Sequence, residues 1–233
     1  MLGIFIILLL SWLLLFYFEK ENLLALGILP LSKTVLQFCI GFCFIALVRL
    51  AFVYVETKLH HIQWIFNSAF SFGLIFKSFW YHLKSAVTED LVFRGAVLYI
   101  LISKFNFKKA ILLSAICFGI YHWFTYGLSG TNLIPYLFVF LVTGFMGYVW
   151  AYSFYKTKSI FLGLGFHIGW NFISTLFDTT KPYGEILFKA NSTIQMTQVN
   201  SFVLSISKGL LVPFLTLLFI NWVIKKEQQI LLK

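Results

Sequence analysis

The amino-acid sequence predicts an all-α membrane protein, a polytopic bundle of about eight transmembrane helices, from its composition and its apolar runs. Hydrophobic residues make up 60% of the 233 residues and charged residues only 11%, with a mean hydropathy of +0.89. Because a soluble domain is usually about 25% charged, this chain has too few acids and bases to cover a water-exposed surface. A soluble enzyme is therefore excluded, and apolar runs near the roughly 20 residues of a membrane helix recur along the chain.

Lysines, glutamates, prolines and glycines interrupt the apolar runs and so delimit the predicted helices. The predicted spans are, in chain order, residues 2–18, 34–55, 64–82, 85–103, 109–127, 131–154, 158–178 and 209–224. The first run has no basic segment before it and no small-residue cleavage site after it, so we expect a retained span and not a removed signal peptide. Asn67, Ser68 and Ser71 interrupt the third run, which makes a tilted or interfacial helix the alternative there.

One connection between the predicted helices is long and polar. Residues 178–201 contain Pro182, Gly184 and several amide and hydroxyl side chains, which is typical of a loop at the membrane surface. This loop is a candidate lid. We expect a single membrane domain over residues 1–233, because the predicted spans leave no room for a separate soluble domain.

The charged residues and the cysteines exclude two further classes of function. The chain carries 18 Lys and Arg against 8 Asp and Glu, a formal net charge of +10, yet no basic run exceeds two residues. Such lysines are typical of span ends and loops, so the expected surroundings are a lipid bilayer and not nucleic acid. Cys39, Cys43 and Cys117 lie inside apolar runs, where we expect them to pack as small hydrophobic residues, with no disulfide and no cysteine metal site.

Two of the eight acidic residues lie inside an apolar run, and they are Glu89 and Asp90. An ionisable side chain at membrane depth is costly unless it is paired or hydrated, so its presence there indicates a functional site by default. We expect the other acidic residues to be solvated at span ends or in loops. These are Glu19, Glu21, Glu56, Asp178, Glu185 and Glu227.

Two histidines lie within predicted spans at a depth that matches Glu89. His122 lies in the fifth span and His167 in the seventh, with Asn171 one turn after His167. Because successive spans run in opposite directions, at about 1.5 Å per residue these side chains fall within roughly 10 Å of one another in depth. All four are therefore candidates to line one cavity. The remaining histidines are expected at the membrane interface, and they are His60, His61 and His82.

Helical spacing indicates how these residues are related. Asp90 and Arg94 are four residues apart, so they lie on one helix face and are expected to form an ion pair. Glu89 lies about 100° around the helix from Asp90 and has no obvious cation partner, which leaves it available as a general base. His167 and Asn171 have the same four-residue spacing and can point at one small group.

Three motifs on successive predicted helices together resemble a known family. They are Glu89-Asp90-x-x-x-Arg94, Phe118-x-x-x-His122 and His167-x-x-x-Asn171. This series resembles the CPBP intramembrane proteases, which include the type II CAAX prenyl proteases and bacteriocin self-immunity proteins. The resemblance covers about residues 60–178, the expected protease core. The family usually has a second glutamate where this chain has Asp90, and the shorter side chain should still reach Arg94.

The resemblance implies an intramembrane endopeptidase with a role for each polar motif residue. Glu89 would deprotonate a water molecule that His122 helps to position. His167 and Asn171 would donate hydrogen bonds to the oxyanion of the tetrahedral intermediate. The implied substrate is a membrane-associated peptide or protein, and no cofactor is expected.

The other motif residues are expected to support the site and not to react. Asp90 and Arg94 would hold the first motif helix in place, and Phe118 belongs to the second motif. The expected location is a membrane that the chain crosses several times, the plasma membrane of a bacterium.

Zinc chemistry with the same residues is the first alternative. Glu89, His122 and His167 form a ligand set that zinc accepts. The chain has no His-Glu-x-x-His motif, and a metal that took all three side chains would leave no separate general base. We therefore favour catalysis by glutamate and water without a metal.

Two alternatives without peptide hydrolysis are also open. A proton-coupled transporter would use Glu89, His122 and His167 as a relay, but it predicts matching halves or broken helices, which the sequence does not show. A non-catalytic scaffold or immunity protein would bind a partner through the same fold. The Glu89→Gln substitution separates a scaffold from an enzyme, because a scaffold should keep its function.

Overall fold

The computed structural model describes residues 2–130, 132–192 and 198–231. These residues form eight α-helices and two short strands. The helices are α1 (Leu2–Glu19), α2 (Leu31–His60), α3 (Phe72–Arg94), α4 (Ala96–Lys104), α5 (Phe107–Thr125), α6 (Leu133–Thr157), α7 (Phe161–Thr175) and α8 (Gln198–Leu231). The strands are β1 (Ile62–Phe66) and β2 (Phe188–Ser192). The predicted helical architecture is therefore confirmed, with the addition of a β ladder that the sequence did not predict.

Four helical segments in the described part of the chain are long and apolar enough to cross a membrane. They are Leu2–Glu19, Leu23–His60, Leu133–Thr157 and Ser201–Lys226. The predicted count of about eight spans is not confirmed. Helices α4 and α7 have only 9 and 15 residues, fewer than the roughly 20 that a membrane helix needs.

Helix α3 replaces the predicted third span and the first part of the fourth. Residues 62–66 form a strand and not a helix, and α3 then continues without a break through residues 82–85, where the sequence predicted a connection. Glu89 and Asp90 consequently lie near the end of a helix and not near the start of a separate span.

The polar residues that interrupt the third apolar run explain where α3 begins. Asn67 accepts a hydrogen bond from the Ala69 amide through Oδ1, at 3.0 Å. Ser71 caps the helix, because its Oγ accepts a hydrogen bond from the Leu74 amide at 3.1 Å. Asn67 thus satisfies a backbone amide of the turn before the helix and Ser71 satisfies one in its first turn, so the helix begins after them.

Gly95 separates α3 from α4. A Cβ atom at this position would lie 2.2 Å from the carbonyl oxygen of Leu91, a distance that no larger residue tolerates. Only glycine therefore allows the chain to turn here. The predicted span over residues 85–103 is divided between two helices as a result.

The two strands connect the segment before α3 to the segment after α7. They pair antiparallel, with Trp64 opposite Ala190. Asn67 continues this connection, since its backbone amide donates to the Leu187 carbonyl at 3.0 Å and its Nδ2 donates to the Glu185 carbonyl at 2.7 Å. We refer to the strands and Asn67 together as the strand clamp.

The segment predicted as a long polar loop contains a strand and the start of a helix. Residues 188–192 form β2, and α8 begins at Gln198, well before the predicted start near residue 209. Residues 193–197 of the candidate lid lie outside the described residues.

Helices α2 and α7 pack with their backbones very close together. A Cβ atom at Gly165 would lie 2.3 Å from the Phe38 carbonyl oxygen. Small residues at such a crossing allow a close approach of two membrane helices. This contact holds α7 inside the bundle, where ten of its fifteen residues are buried, His167 among them.

A core of aromatic and aliphatic side chains joins α2, α5, α6, α7 and α8. Its buried members are Ile45, Phe52, Phe118, Met146, Val149, Trp150, Leu162, Phe166, Val212 and Ile220. Phe118 and Trp150 are the members that contact the polar motif residues.

Candidate active site

Glu89 has one carboxylate oxygen that is bound and one that is not. Oε1 accepts a hydrogen bond from Ser85 Oγ, one turn earlier on α3, at 3.1 Å. Oε2 is buried, lies 3.7 Å from His167 Nε2 and has no hydrogen-bond partner among the described residues. This separation is too long for a direct hydrogen bond. Asp90 Oδ2 likewise has no hydrogen-bond partner among the described residues, but Asp90 is paired with Arg94, so Glu89 is the carboxylate that is available for chemistry.

His167 on α7 is held in one orientation. Nδ1 lies 3.2 Å from Asp90 Oδ1, and the ring stacks on Trp150 with the ring centroids 4.3 Å apart. Because an ionised carboxylate only accepts hydrogen bonds, Nδ1 carries the proton in this contact. Nε2 is then the nitrogen that faces Glu89. Asp90 thus pairs with Arg94, as predicted, and also orients His167. The sequence did not predict this second role.

The ion pair predicted from the four-residue spacing on α3 is present. Arg94 Nη1 lies 3.1 Å from Asp90 Oδ1, and each side chain is only 2% exposed. The guanidinium also lies over the rings of Phe118 and Trp150, at 4.0 and 4.9 Å from their centroids. These cation–π contacts compensate in part for the water that Arg94 has lost.

His122 lies close to His167 on the neighbouring helix α5. Its Nδ1 donates a hydrogen bond to the Phe118 carbonyl at 2.8 Å, which leaves Nε2 of the neutral ring as an acceptor. The ring of Phe118 contacts both histidines, at centroid distances of 4.4 Å to His122 and 6.4 Å to His167. Phe118 therefore packs against Arg94 and both imidazoles at once.

The predicted site residues line two cavities and not one. The first, of about 370 Å³, is lined by His122, His167 and Asn171 together with apolar and aromatic side chains of α5, α6 and α8. The second, of about 290 Å³, is lined by Glu89 and by polar neighbours. These neighbours include Lys84, Ser85, Thr88 and Tyr121. The 3.7 Å contact between Glu89 and His167 joins the two groups of residues.

Asn171 contacts a lysine from the loop after α7. Lys181 Nζ donates a hydrogen bond to Asn171 Oδ1 at 3.3 Å, and Lys181 lines the first cavity. Burial lowers the pKa of the Lys181 ammonium, an effect that the nearby Asp178 carboxylate opposes. Nothing in the sequence indicated Lys181, because the contact depends on how the loop folds back.

His82 is buried and not interfacial, contrary to the sequence prediction. Its Nε2 lies 2.7 Å from Thr175 Oγ1, and the Thr175 hydroxyl donates to the Asn171 carbonyl. His82 precedes Glu89 by two helical turns on α3, so its place on the same helix face could have been found from spacing.

Arg49, a buried arginine on α2, was also not identified from the sequence. Arg49 is 1% exposed, and its guanidinium binds Asp178 at 2.6 Å, Glu56 at 3.2 Å and Ser174 Oγ at 3.0 Å. Glu56 also binds Lys208, so this acid is paired within the protein and not solvated as predicted. The signal was available, since Arg49 is an ionisable residue inside an apolar run.

The residues proposed for a zinc alternative are not arranged as a metal site. Among the described residues, no group of three or more His, Cys, Asp or Glu side chains lies close enough to hold one ion. Glu89, His122 and His167 therefore do not fit a tetrahedral zinc ion in this arrangement.

Comparison with known proteins points to one family. The chain has no significant match among the curated proteins or among the solved structures. Residues 71–173 match the family model described as type II CAAX prenyl endopeptidase, Rce1-like. The matched segment contains all three motifs, so the resemblance that they predicted is confirmed, and the family implies a protease. This segment of the chain is thus similar to the Rce1-like type II CAAX prenyl endopeptidases, and the family match together with the long apolar helices indicates an integral membrane protein.

Proposed function

We propose that this protein is an intramembrane endopeptidase that uses Glu89 to activate water against a peptide bond of a membrane-associated peptide or protein. The observation that carries the proposal is Glu89 Oε2, a buried carboxylate oxygen with no protein partner among the described residues, 3.7 Å from His167 Nε2. A general base must face the proton that it removes, and this oxygen is unoccupied by other contacts. His122, which lines the first cavity, helps to orient the water through Nε2, a hydrogen-bond acceptor.

The reaction begins when Glu89 Oε2 takes a proton from the water molecule. The water oxygen then forms a bond to the carbonyl carbon of the peptide, and the carbonyl π electrons move onto its oxygen. Collapse of this intermediate breaks the carbon–nitrogen bond. The proton held by Glu89 passes to the leaving amine, so the carboxylate is regenerated.

Hydrogen bonds from His167 and Asn171 stabilise the oxyanion in this proposal. Asn171 supplies its Nδ2 group. His167 donates a hydrogen bond from Nδ1 to Asp90, so it can also donate from Nε2 only when that nitrogen carries a second proton. The proposal therefore requires His167 as an imidazolium, held by Asp90 on one side and by the oxyanion on the other.

The first cavity suits an apolar peptide. Its walls combine Met146, Val212 and Pro213 with the polar residues of the site. The family name implies a prenylated substrate that ends in a CaaX sequence, and such a peptide is the first probe to use. Location in the plasma membrane of a bacterium stays a prediction.

The test of the function is cleavage of quenched fluorescent peptides by the protein purified in detergent. The set consists of a prenylated CaaX peptide, the same peptide without the lipid, and a library of membrane-proximal sequences. We expect cleavage of at least one peptide by the wild type and none by Glu89→Gln. Absence of cleavage across the set would instead support the non-catalytic scaffold, and equal cleavage by both proteins would show that Glu89 is not the general base.

Replacement of His167 by alanine is expected to lower kcat by about 10²- to 10³-fold, because one oxyanion donor is lost. The Michaelis constant should change little, since the donor acts on charge that develops only in the transition state. His61→Ala, at an exposed position, is the matched control. A similar fall in both variants, or a loss confined to the Michaelis constant, would contradict the assigned role.

Elemental analysis decides between the glutamate mechanism and the zinc alternative. We expect no stoichiometric zinc in active protein and full activity after treatment with a strong chelator. One zinc ion per chain that is lost with activity in both Glu89→Gln and His122→Ala would overturn the glutamate mechanism.

A further inference from the structure

Lys181 differs from Lys208, the other lysine at the first cavity, because it forms no ion pair within the described part of the chain. Lys208, which also lines the cavity, binds Glu56 at 2.5 Å. Asp178, the acid nearest to Lys181 in sequence, binds Arg49 at 2.6 Å. The charge of Lys181 is therefore not neutralised by contact with an acidic side chain.

The loop that carries Lys181 is held against the end of α7. The Ile186 amide donates to the Thr175 carbonyl at 3.2 Å, and the Gly184 amide donates to the Lys181 carbonyl at 2.8 Å. Ile186 is fully buried, and β2 of the strand clamp begins two residues later. The position of Lys181 relative to Asn171 is thus determined by backbone hydrogen bonds as well as by its own side chain.

The chemistry of an ammonium group determines how Asn171 is oriented. A lysine ammonium donates three hydrogen bonds and accepts none, so Asn171 must turn its oxygen toward Lys181. The Nδ2 group then points away from Lys181, and among the described residues it has no hydrogen-bond partner. Both of its protons are available to a substrate in the cavity that Asn171 lines.

We propose that Lys181 is a positioning residue that orients the Asn171 amide as an oxyanion donor and adds positive charge beside the oxyanion. This inference rests on the proposed peptidase function and extends it to a residue outside the three motifs. Hydrogen bonding to Oδ1 also polarises the amide, which strengthens donation from Nδ2. A preoriented donor is more effective than one that must rotate during the reaction.

The kinetic test compares Lys181→Met and Lys181→Arg with the wild type on the peptide that it cleaves. Lys181→Met should lower kcat by about 10- to 100-fold with less than a threefold change in the Michaelis constant. Lys181→Arg should recover part of the loss, because guanidinium also only donates. The matched control is Lys189→Met, at an exposed lysine on β2, and it should have wild-type kinetics. Equal kinetics of the two methionine variants, or a change in the Michaelis constant alone, would overturn the proposal.

A double mutant separates a role through Asn171 from a general effect on the fold. If Lys181 acts through the amide, Lys181→Met should cost little further activity in a chain that already carries Asn171→Ala. Full additivity of the two losses would mean that Lys181 acts elsewhere, and it would count against the proposal.

Nuclear magnetic resonance tests the contact without any substrate. The protein is labelled with ¹⁵N-asparagine in detergent, and the Asn171 side-chain signal is assigned by its absence in Asn171→Asp. We expect this signal to shift at alkaline pH as Lys181 loses its proton, in wild type and Lys189→Met but not in Lys181→Met. The charged or titratable groups that face Lys181 are Asp178, Arg49, Glu89, Lys208 and His82, and all are unchanged in the comparison. The same shift in Lys181→Met would overturn the contact, whereas a failure of peptide cleavage alone would overturn only the peptidase function.

Discussion

Replacing Glu89 with glutamine is expected to lower turnover by about 10²- to 10⁴-fold. The amide has nearly the shape of the carboxylate and can still accept the hydrogen bond from Ser85. It cannot accept a proton from water at neutral pH, so the first step of the proposed reaction fails. Arg94 is paired with Asp90 and not with Glu89, and the fold should therefore persist. The measurements are kcat and the Michaelis constant on a cleaved peptide, with thermal unfolding in detergent as the check on folding.

Glu21→Gln provides the matched control for this experiment. Glu21 is exposed in the connection after α1, so the same chemical change there should leave turnover at the wild-type level. Retained turnover in Glu89→Gln would remove the general base from the proposed mechanism. A fall in turnover together with a large fall in the unfolding temperature would assign Glu89 to the fold and not to the chemistry.

Replacing Arg94 with alanine is expected to destabilise the protein by roughly 3–5 kcal/mol, because it leaves the Asp90 charge buried and unpaired. It also removes the cation that stacks on Phe118 and Trp150 under the site. Lysine should not substitute well, since a stacked guanidinium has no ammonium equivalent. The measurement is the unfolding temperature and the yield of monodisperse protein in detergent.

The double substitution Asp90→Asn with Arg94→Gln should recover part of that stability but not the activity. Both charges are removed together, so neither is left stranded. An asparagine at position 90, however, carries no negative charge and so cannot stabilise the His167 imidazolium that the proposed oxyanion donor requires. Equal destabilisation in the single and double variants would argue against the ion pair, and full activity in the double variant would argue against orientation of His167 by Asp90.

Local spacing predicted the relationships within each helix more reliably than apolar runs predicted the helices themselves. The pairing of Asp90 with Arg94 depends only on four residues of continuous helix, so it holds although α3 starts and ends elsewhere than expected. Helix ends were mispredicted where a side chain or a single glycine decided them. Helix α3 ends at Gly95, where a side chain would collide with the Leu91 carbonyl of the preceding turn, and hydropathy does not record such steric limits.

The features missed in the sequence are those that depend on residues far apart in the chain. Lys181 reaches Asn171 only because the loop after α7 folds back, and Arg49 meets Asp178 across 129 positions. The pairing of β1 with β2 is equally distant, and neither strand has an apolar alternation strong enough to indicate it. His82 and Arg49 were nevertheless within reach, since buried charge and helix-face spacing are both readable from sequence.

The strand clamp limits how far α3 and α7 can slide along each other. A paired strand cannot move in small increments, because a shift by one residue displaces it by about 3.3 Å and reverses which side chains face each way. The register of the ladder between residues 62–66 and 188–192 therefore fixes the axial position of α3 relative to α7. The position of the Glu89 carboxylate along the His167 helix is fixed with it. A single inserted residue on either side of this ladder would displace the two groups by a distance close to their own 3.7 Å separation.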